Sequence, residues 1–208
     1  MRYFLAVLAF ALLSIAPQSR AALLGDASIP YRALRTVTIN GQSYSGPVVS
    51  TPGHQRHEQD LFGMREVFLL DTASAKGILV LPSVKTYVEF RFPPLMAELD
   101  SEDLLDDPVG QDKVAGVSAT KYRVDHTAAD GSRAKGFLWL ARGGILVKLD
   151  VAVTRAHGGK PTRIGMELSN LVTGPVDPAA FVLPHGFVRL PPDALGPLLG
   201  AGGGKAPF

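Results

Sequence analysis

Apolar and polar side chains alternate along most of the chain with a period of two, which is the pattern of half-buried β-strands. In the clearest run, Gly144–Thr154, every odd-numbered position from 145 to 153 is Ile, Val or Leu. The run Arg35–Asn40 also alternates, and Asn40-Gly41 then favours a two-residue hairpin turn because both residues tolerate positive φ. Further runs predict strands over Gln42–Val49, Glu66–Asp71, Gly77–Leu81, Thr86–Phe92, Thr120–Asp125, Gly136–Ala141 and Arg163–Leu171.

Short glycine-containing turns separate neighbouring runs, so successive strands are expected to pair antiparallel in a meander. Three runs are apolar on both faces of the predicted sheet, over residues 67–70, 78–81 and 137–140. Both faces therefore need a cover, whereas the best helix candidate is the modest Pro94–Leu105, which Pro108 ends. We predict a mainly β protein in which something other than this helix, such as another sheet or a ligand, covers the second face.

Residues 1–21 have the pattern of an export signal. A basic Arg2 precedes an apolar run of about fourteen residues that Pro17 ends, and small residues at Ser19 and Ala21 predict cleavage after Ala21. The run is shorter than the roughly twenty residues that cross a bilayer as a helix, and no later run is longer. We expect an exported, soluble periplasmic protein without a transmembrane segment after cleavage, the alternative being an uncleaved N-terminal anchor.

Charge and cysteine content limit the possible partners. The signal segment contains two of the 21 basic residues and none of the 19 acidic ones, so the remaining chain is balanced in charge. Without a basic block, nucleic acid is not an expected partner, because phosphate neutralisation dominates that affinity. The absence of cysteine excludes thiolate metal sites, cysteine nucleophiles and a lipidated cysteine, and favours a bacterial periplasm over a disulfide-stapled secreted domain.

Candidate catalytic and metal-binding motifs all have a simpler structural interpretation. His54-x-x-His57, followed by Glu58, has a spacing that suits two metal ligands on a helix, but in a strand positions 54 and 57 point to opposite faces, which favours a solvated polar strand. The acidic cluster between Glu98 and Asp107 lacks the ligand spacing and central glycine of a calcium loop. No G-x-S-x-G motif is present, while a glycosidase-type carboxylate pair stays open because it is defined in space. We expect no catalytic residue, no metal site and no cofactor.

Several motifs resemble a periplasmic family close to the superfamily of the outer-membrane lipoprotein carrier, LolA. The stretch GPVVSTPGHQRHE over residues 46–58 is similar to a strand pair of the form G…pg..R.E, and LPSVKTYVE over residues 81–89 is similar to the P…K.Y.E strand that follows it. The second half adds, in the same order, Val114–Tyr122, Trp139, Leu171 and Phe181–Phe187. The resemblance covers about residues 31–190.

The resemblance implies a strongly curved antiparallel sheet, an unclosed half-barrel with one or a few lid helices, over residues 22–190. Members of the superfamily bind acyl chains in the concave apolar face or present that groove to partners. Residues 191–208, which are rich in Gly, Pro and Ala, are expected to form a disordered tail.

Two functions follow from these expectations. In the first, the protein binds a lipid, an acyl chain, a lipoprotein or another hydrophobic molecule in the apolar groove, with the helix over residues 94–105 as a lid. In the second, it is an envelope interaction or sensor module whose groove is filled by its own side chains. Because the strand register decides which side chains face inward, the lining candidates come from both faces: Phe68, Leu70, Ile78, Val80, Val88, Phe90, Trp139 and Met166.

Arg56 and Glu58 lie two residues apart and therefore on one face of a predicted strand. The stretch around them is polar, so we expect them to be exposed, to pair with opposite charges or polar backbone on neighbouring strands and to serve a structural role, the alternative being a buried pair.

The export signal leads to a direct prediction. Protein recovered from the periplasm should begin at Ala22, because the peptidase reads the small residues that precede it. N-terminal sequencing or intact mass measurement checks this, and a mature protein that still begins at Met1 would contradict export by cleavage.

Overall fold

A computed structural model describes residues 27–61, 63–92, 105 and 108–191. Three sequence predictions lie outside these residues: the signal segment 1–21, the tail beyond Pro191, and the helix over residues 94–105 apart from its last residue. That residue, Leu105, is half-buried and packs against the main hydrophobic core.

The described part of the chain contains twelve β-strands and short 3-10 turns. The turns lie at Pro82–Val84, Arg142–Gly144 and Pro178–Phe181. The strands are β1 (Tyr31–Ile39), β2 (Gln42–Thr51), β3 (His54–Leu61), β4 (Met64–Asp71), β5 (Lys76–Leu81), β6 (Thr86–Arg91), β7 (Pro108–Val114), β8 (Val117–Thr127), β9 (Arg133–Ala141), β10 (Ile145–Thr154), β11 (Thr162–Thr173) and β12 (Val188–Leu190).

All twelve strands belong to one open sheet in the order β12-β6-β5-β4-β3-β2-β1-β11-β10-β9-β8-β7. Strands β1–β6 form one antiparallel meander, β7–β11 form a second, and pairing of β1 with β11 joins the two. A twisted open sheet of this many strands curls, which gives an unclosed half-barrel. The predicted mainly β, antiparallel fold class is therefore confirmed. The one parallel pair among the described strands joins β12 to β6.

Local signals in the sequence correspond to the turns and strands that form. Asn40 and Gly41 both have positive φ, 50° and 89°, in the tight turn between β1 and β2. The alternating run that follows Gly144 forms β10, with Ile145, Val147, Leu149 and Val151 buried.

Because side chains alternate along each strand, the sheet has two faces with different covers. We call the face that carries Tyr31, Val48, Leu79, Val88 and Leu168 the core face, and all five side chains are buried. The main hydrophobic cluster draws its residues from β1, β2 and β7–β11, so it packs together the junction of the two meanders.

The opposite face of β3–β6 is covered by the end of the described chain, residues 174–190, which we call the strap. Leu183 and Phe187 of the strap pack against a cluster formed by Val67, Leu69 and Val80. Polar contacts hold the strap in place: Arg56 Nη1 donates to the Ala180 carbonyl oxygen at 3.2 Å, and Arg189 pairs with Glu89 at 2.7 Å. The chain itself therefore covers one of the two apolar faces that the sequence left unaccounted for.

Gly46 is required by a close approach of two strands. A Cβ atom added to Gly46 in β2 would lie 1.7 Å from the carbonyl oxygen of Glu58 in β3, so any side chain forces the backbone apart. We predict that Gly46→Ala lowers the free energy of unfolding by about 1–3 kcal/mol, the usual cost of overpacking.

Urea denaturation of the purified variants checks this prediction, and Gly110→Ala is the matched control. A Cβ added to Gly110 in the exposed strand β7 meets nothing within 4 Å, so this variant should stay within about 0.5 kcal/mol of the wild type. Equal stability of the two variants would contradict the close approach.

Candidate functional site

The structure divides the eight lining candidates between the two faces. Phe68, Leu70, Val88 and Phe90 lie together on the core face of β4 and β6, and Met166 lies on the same face at β11. Ile78 and Val80 lie on the opposite face, where they pack with the strap. Trp139 also lies on that opposite face, in β9, where its Nε1 donates to Asp112 Oδ2 at 2.6 Å and Lys121 and Lys148 approach its ring.

Four rings form a continuous aromatic ladder across the core face of β3–β6. His57 stacks on Phe68 with ring centroids 6.3 Å apart, and Phe68 meets Phe90 edge-to-face at 6.4 Å. Phe90 in turn lies 6.1 Å from Phe92. Gly77 in β5 makes room for this arrangement, because a Cβ added there would lie 2.3 Å from the ring of Phe90.

Aliphatic side chains form the floor around the ladder. Leu70, Leu79, Leu81 and Val88 are buried on the same face of β4–β6, whereas Phe68 and Phe90 are only half-buried. Two half-buried aromatic rings above a buried aliphatic floor form a surface that suits an apolar chain. These residues are the candidate groove.

A cluster of polar side chains lies beside the ladder and corrects the prediction of a solvated strand. His54 and His57 do point to opposite faces, but His57 is only 5% exposed and Gln55 only 1%. Both face the core side, where Tyr31 and Arg35 from β1 and Glu66 from β4 are buried as well. Side chains of neighbouring strands bury these groups.

Hydrogen bonds satisfy only part of this cluster. Gln55 Nε2 donates to the Tyr31 hydroxyl at 3.4 Å, and Gln59 Nε2 donates to Glu66 Oε2 at 3.0 Å. Within the described residues, Arg35 Nε has no hydrogen-bond partner. The His57 ring lies near the Gln59 side chain and the Pro47 backbone, but neither ring nitrogen makes a well-aligned hydrogen bond. Buried polar atoms in this state are uncommon in folded proteins and call for an explanation.

Burial shifts the pKa of His57, Arg35 and Glu66 in this cluster. Burial, together with the nearby charge of Arg35, lowers the pKa of His57 to about 3, so its imidazole is neutral at pH 7. Burial also lowers the pKa of Arg35, although the adjacent Tyr31 hydroxyl opposes the shift. Burial raises the pKa of Glu66, against the hydrogen bond from Gln59.

Arg56 and Glu58 form an ion-pair network on the opposite face, beneath the strap. Their side chains are 24% and 14% exposed, so the expectation of an exposed pair is wrong. Arg56 Nη2 lies 2.7 Å from Glu58 Oε1, and Arg65 Nε donates to Glu58 Oε2 at 2.9 Å. Partial burial acts to raise the pKa of Glu58, but the hydrogen bonds from Arg65 and Arg56 outweigh it and lower that pKa. The Glu58 carboxylate therefore pairs with both guanidinium groups, and Arg56 also anchors the strap.

A separate depression of about 390 Å³ lies over β1, β10 and β11. Its walls include Thr36, Thr38, Lys148, Asp150 and Glu167, so most of the lining side chains are polar or charged. Leu149, Leu168 and the lining candidate Met166 supply the apolar part of the lining.

Two further observations concern the described part of the chain only. No group of three or more His, Asp or Glu side chains lies close enough there to hold a metal ion. No helix in the same residues combines the length and the apolar character needed to cross a membrane.

The buried neutral His57 makes stability depend on pH. In the unfolded chain His57 protonates near its ordinary pKa of 6.5, whereas in the folded protein it stays neutral down to about pH 3. Its contribution is therefore complete above pH 6.5 and is lost as the pH falls, at about 1.4 kcal/mol per pH unit, or about 2 kcal/mol by pH 5.

Urea unfolding at pH 7 and pH 5 checks this dependence. His57→Leu should lose less stability than the wild type between the two pH values. His54→Gln, which replaces an exposed imidazole on the opposite face of the same strand, should behave like the wild type. The opposing contribution of Glu66 is common to all three proteins, so an unchanged slope in His57→Leu would contradict the buried neutral state.

Comparisons with known proteins place the chain by its fold. No protein-family model and no curated protein matches it. An uncharacterized conserved protein from Thermus thermophilus superposes with a TM-score of 0.51 at 11% identity, covering 82% of this chain and 94% of that one. MucB of Pseudomonas aeruginosa in complex with MucA gives 0.48 at 16% identity, covering 79% of this chain and 59% of that one. This chain therefore spans about three-fifths of MucB, and the Thermus likeness concerns the fold alone.

Proposed function

We propose that this protein binds a lipid or another hydrophobic molecule on the core face of β3–β6, in the periplasm after export. The observation that supports the proposal is the aromatic ladder, in which Phe68 and Phe90 stay half-buried beside an aliphatic floor. The strap covers the opposite face of the same strands, so the chain's own cover and the candidate groove are on different sides.

Binding of this kind needs no chemistry beyond the removal of apolar surface from water. Each Å² of apolar surface that a ligand buries contributes roughly 25 cal/mol, so a chain of several methylene groups gains several kcal/mol. Phenylalanine rings add contact area with little loss of side-chain entropy, because they have only two rotatable bonds. The proposed role is reversible carriage or sensing of such a molecule in the cell envelope.

A second function, docking of an envelope protein, is favoured by the edge strand β7, beyond which no described strand pairs. Strand β7 is the last strand of the sheet, and its residues from Pro108 to Lys113 are exposed. An extended segment of a partner can add to such an edge by backbone hydrogen bonds, as β12 of the strap does at β6. In this function the groove would be filled by the protein's own side chains.

A pair of phenylalanine variants tests the groove. Phe90→Ala removes part of the aromatic ladder and should raise the Kd for an apolar fluorophore such as N-phenyl-1-naphthylamine about fivefold, which corresponds to about 1 kcal/mol of lost contact. Fluorescence titration of the folded variants measures the change.

The matched control is Phe187→Ala, which removes a ring from the strap on the opposite face. It should lower the melting temperature and leave the Kd within about twofold of the wild type, a change of about 0.4 kcal/mol at most. Organic extraction of protein purified from the periplasm, followed by mass spectrometry, should in addition recover a bound hydrophobic molecule. If the wild type binds no apolar probe and yields no extract, the docking function replaces this proposal.

A further inference from the structure

We propose that the ligand of the candidate groove is an amphiphile with an anionic headgroup, a carboxylate or a phosphate, and that Arg35 and His57 bind that headgroup. This inference rests on the proposed function, because it names the chemistry of the molecule that the groove would hold. The observation that supports it is the buried guanidinium of Arg35, which no acidic side chain among the described residues neutralises.

Arg35 differs from the arginines that make ion pairs in being buried and in making none. Its side chain is only 8% exposed, yet it forms no ion pair with any described carboxylate, and its Nε lacks a hydrogen-bond partner. By contrast, four arginines at more exposed positions each pair with an acidic side chain: Arg56, Arg65, Arg133 and Arg189. The Tyr31 hydroxyl lies beside Arg35 and stabilises its charge in part, but it is a neutral group. A buried cation without an anionic partner is costly, so its presence points to a binding partner that is an anion.

The position of Arg35 connects this charge to the groove. Arg35 lies opposite Gly46 of β2, so no side chain of β2 stands between it and the core face of β3. His57 of β3 lies close enough to Arg35 for the charge of the guanidinium to act on the imidazole. His57 in turn stacks on Phe68, the first phenylalanine of the aromatic ladder. A polar end and an apolar strip therefore adjoin on one face, in the arrangement that a headgroup and its chain require.

The donors that this end offers suit a carboxylate or a phosphate. A guanidinium presents several N–H donors in a fixed plane and binds such oxyanions through two parallel hydrogen bonds. A neutral imidazole adds one N–H donor from His57. The acidic groups nearby do not compete for this role, because Glu66 is bound by Gln59 and Glu58 lies on the opposite face with Arg56 and Arg65.

Four probes with the full-length protein test the inference by isothermal titration calorimetry below the micelle concentration. Laurate and dodecyl phosphate carry an anionic headgroup, dodecanol carries the same chain without charge, and inorganic phosphate carries charge without a chain. Wild-type protein should bind the two anionic amphiphiles at least tenfold more tightly than dodecanol, and should bind inorganic phosphate weakly or not at all.

Substitution of Arg35 should remove the headgroup preference and leave the chain binding. In Arg35→Met the affinities for laurate and dodecanol should become equal within about twofold, while the melting temperature stays equal or rises because an unpaired buried charge has been removed. Arg32→Met is the matched control: Arg32 lies on the same strand, is exposed and faces the other side, so the tenfold preference should persist.

The wild-type measurements alone decide the outcome, even if Arg35→Met does not fold. Equal affinity for laurate and dodecanol overturns the inference and leaves the proposed function standing. No binding of any amphiphile overturns both. If inorganic phosphate binds as tightly as dodecyl phosphate, the site binds a free anion, and the proposal that the ligand is an amphiphile is wrong.

Discussion

The pairing of β1 with β11 is the constraint on which the rest of the structure depends. Each half of the chain forms a meander from neighbouring runs, but neither meander alone contains the main hydrophobic cluster, whose residues come from both. The pairing of β1 with β11 joins the two meanders, and it runs from Tyr31 and Thr173 at one end to Ile39 and Ile164 at the other. The same pairing fixes the position of Arg35 in β1, where it lies on the core face between the main hydrophobic cluster and the candidate groove.

The two apolar faces of β3–β6 differ in what covers them. On one face the chain returns on itself, so that Leu183 and Phe187 cover Val67 and Val80. On the other face the character changes from strand to strand, from buried polar groups at β1 and β3 to aromatic and aliphatic side chains at β4–β6. That gradient along the sheet, more than any single residue, makes the core face suited to a molecule with two unlike ends.

The strands and their antiparallel pairing could be predicted from local signals, because a period of two and an Asn-Gly turn act within a few residues, whereas the half-barrel was implied by the family resemblance. The burial of His57 could not, since it depends on which strands lie beside β3 and on the polar residues that they bring, such as Arg35 from a strand two places away. The stretch that contains His57 is polar throughout, and composition alone favours exposure. The strap was missed for a similar reason: it has little regular structure, and its last strand spans only Val188–Leu190 and pairs parallel with β6. The division of the lining candidates between the faces required the register, which period-two patterns leave undefined.

The strap also has a consequence for how the chain folds. Residues 183–187 follow every strand that they cover, so while the chain emerges in order the face formed by Val67, Leu69 and Val80 is complete in sequence but has no cover. The pairing of β1 with β11 likewise cannot form until residues near Thr173 have been synthesised. Contacts between such distant segments slow folding and prolong the exposure of apolar strands to aggregation. The first meander is therefore complete in sequence long before the last strand and the strap can cover it.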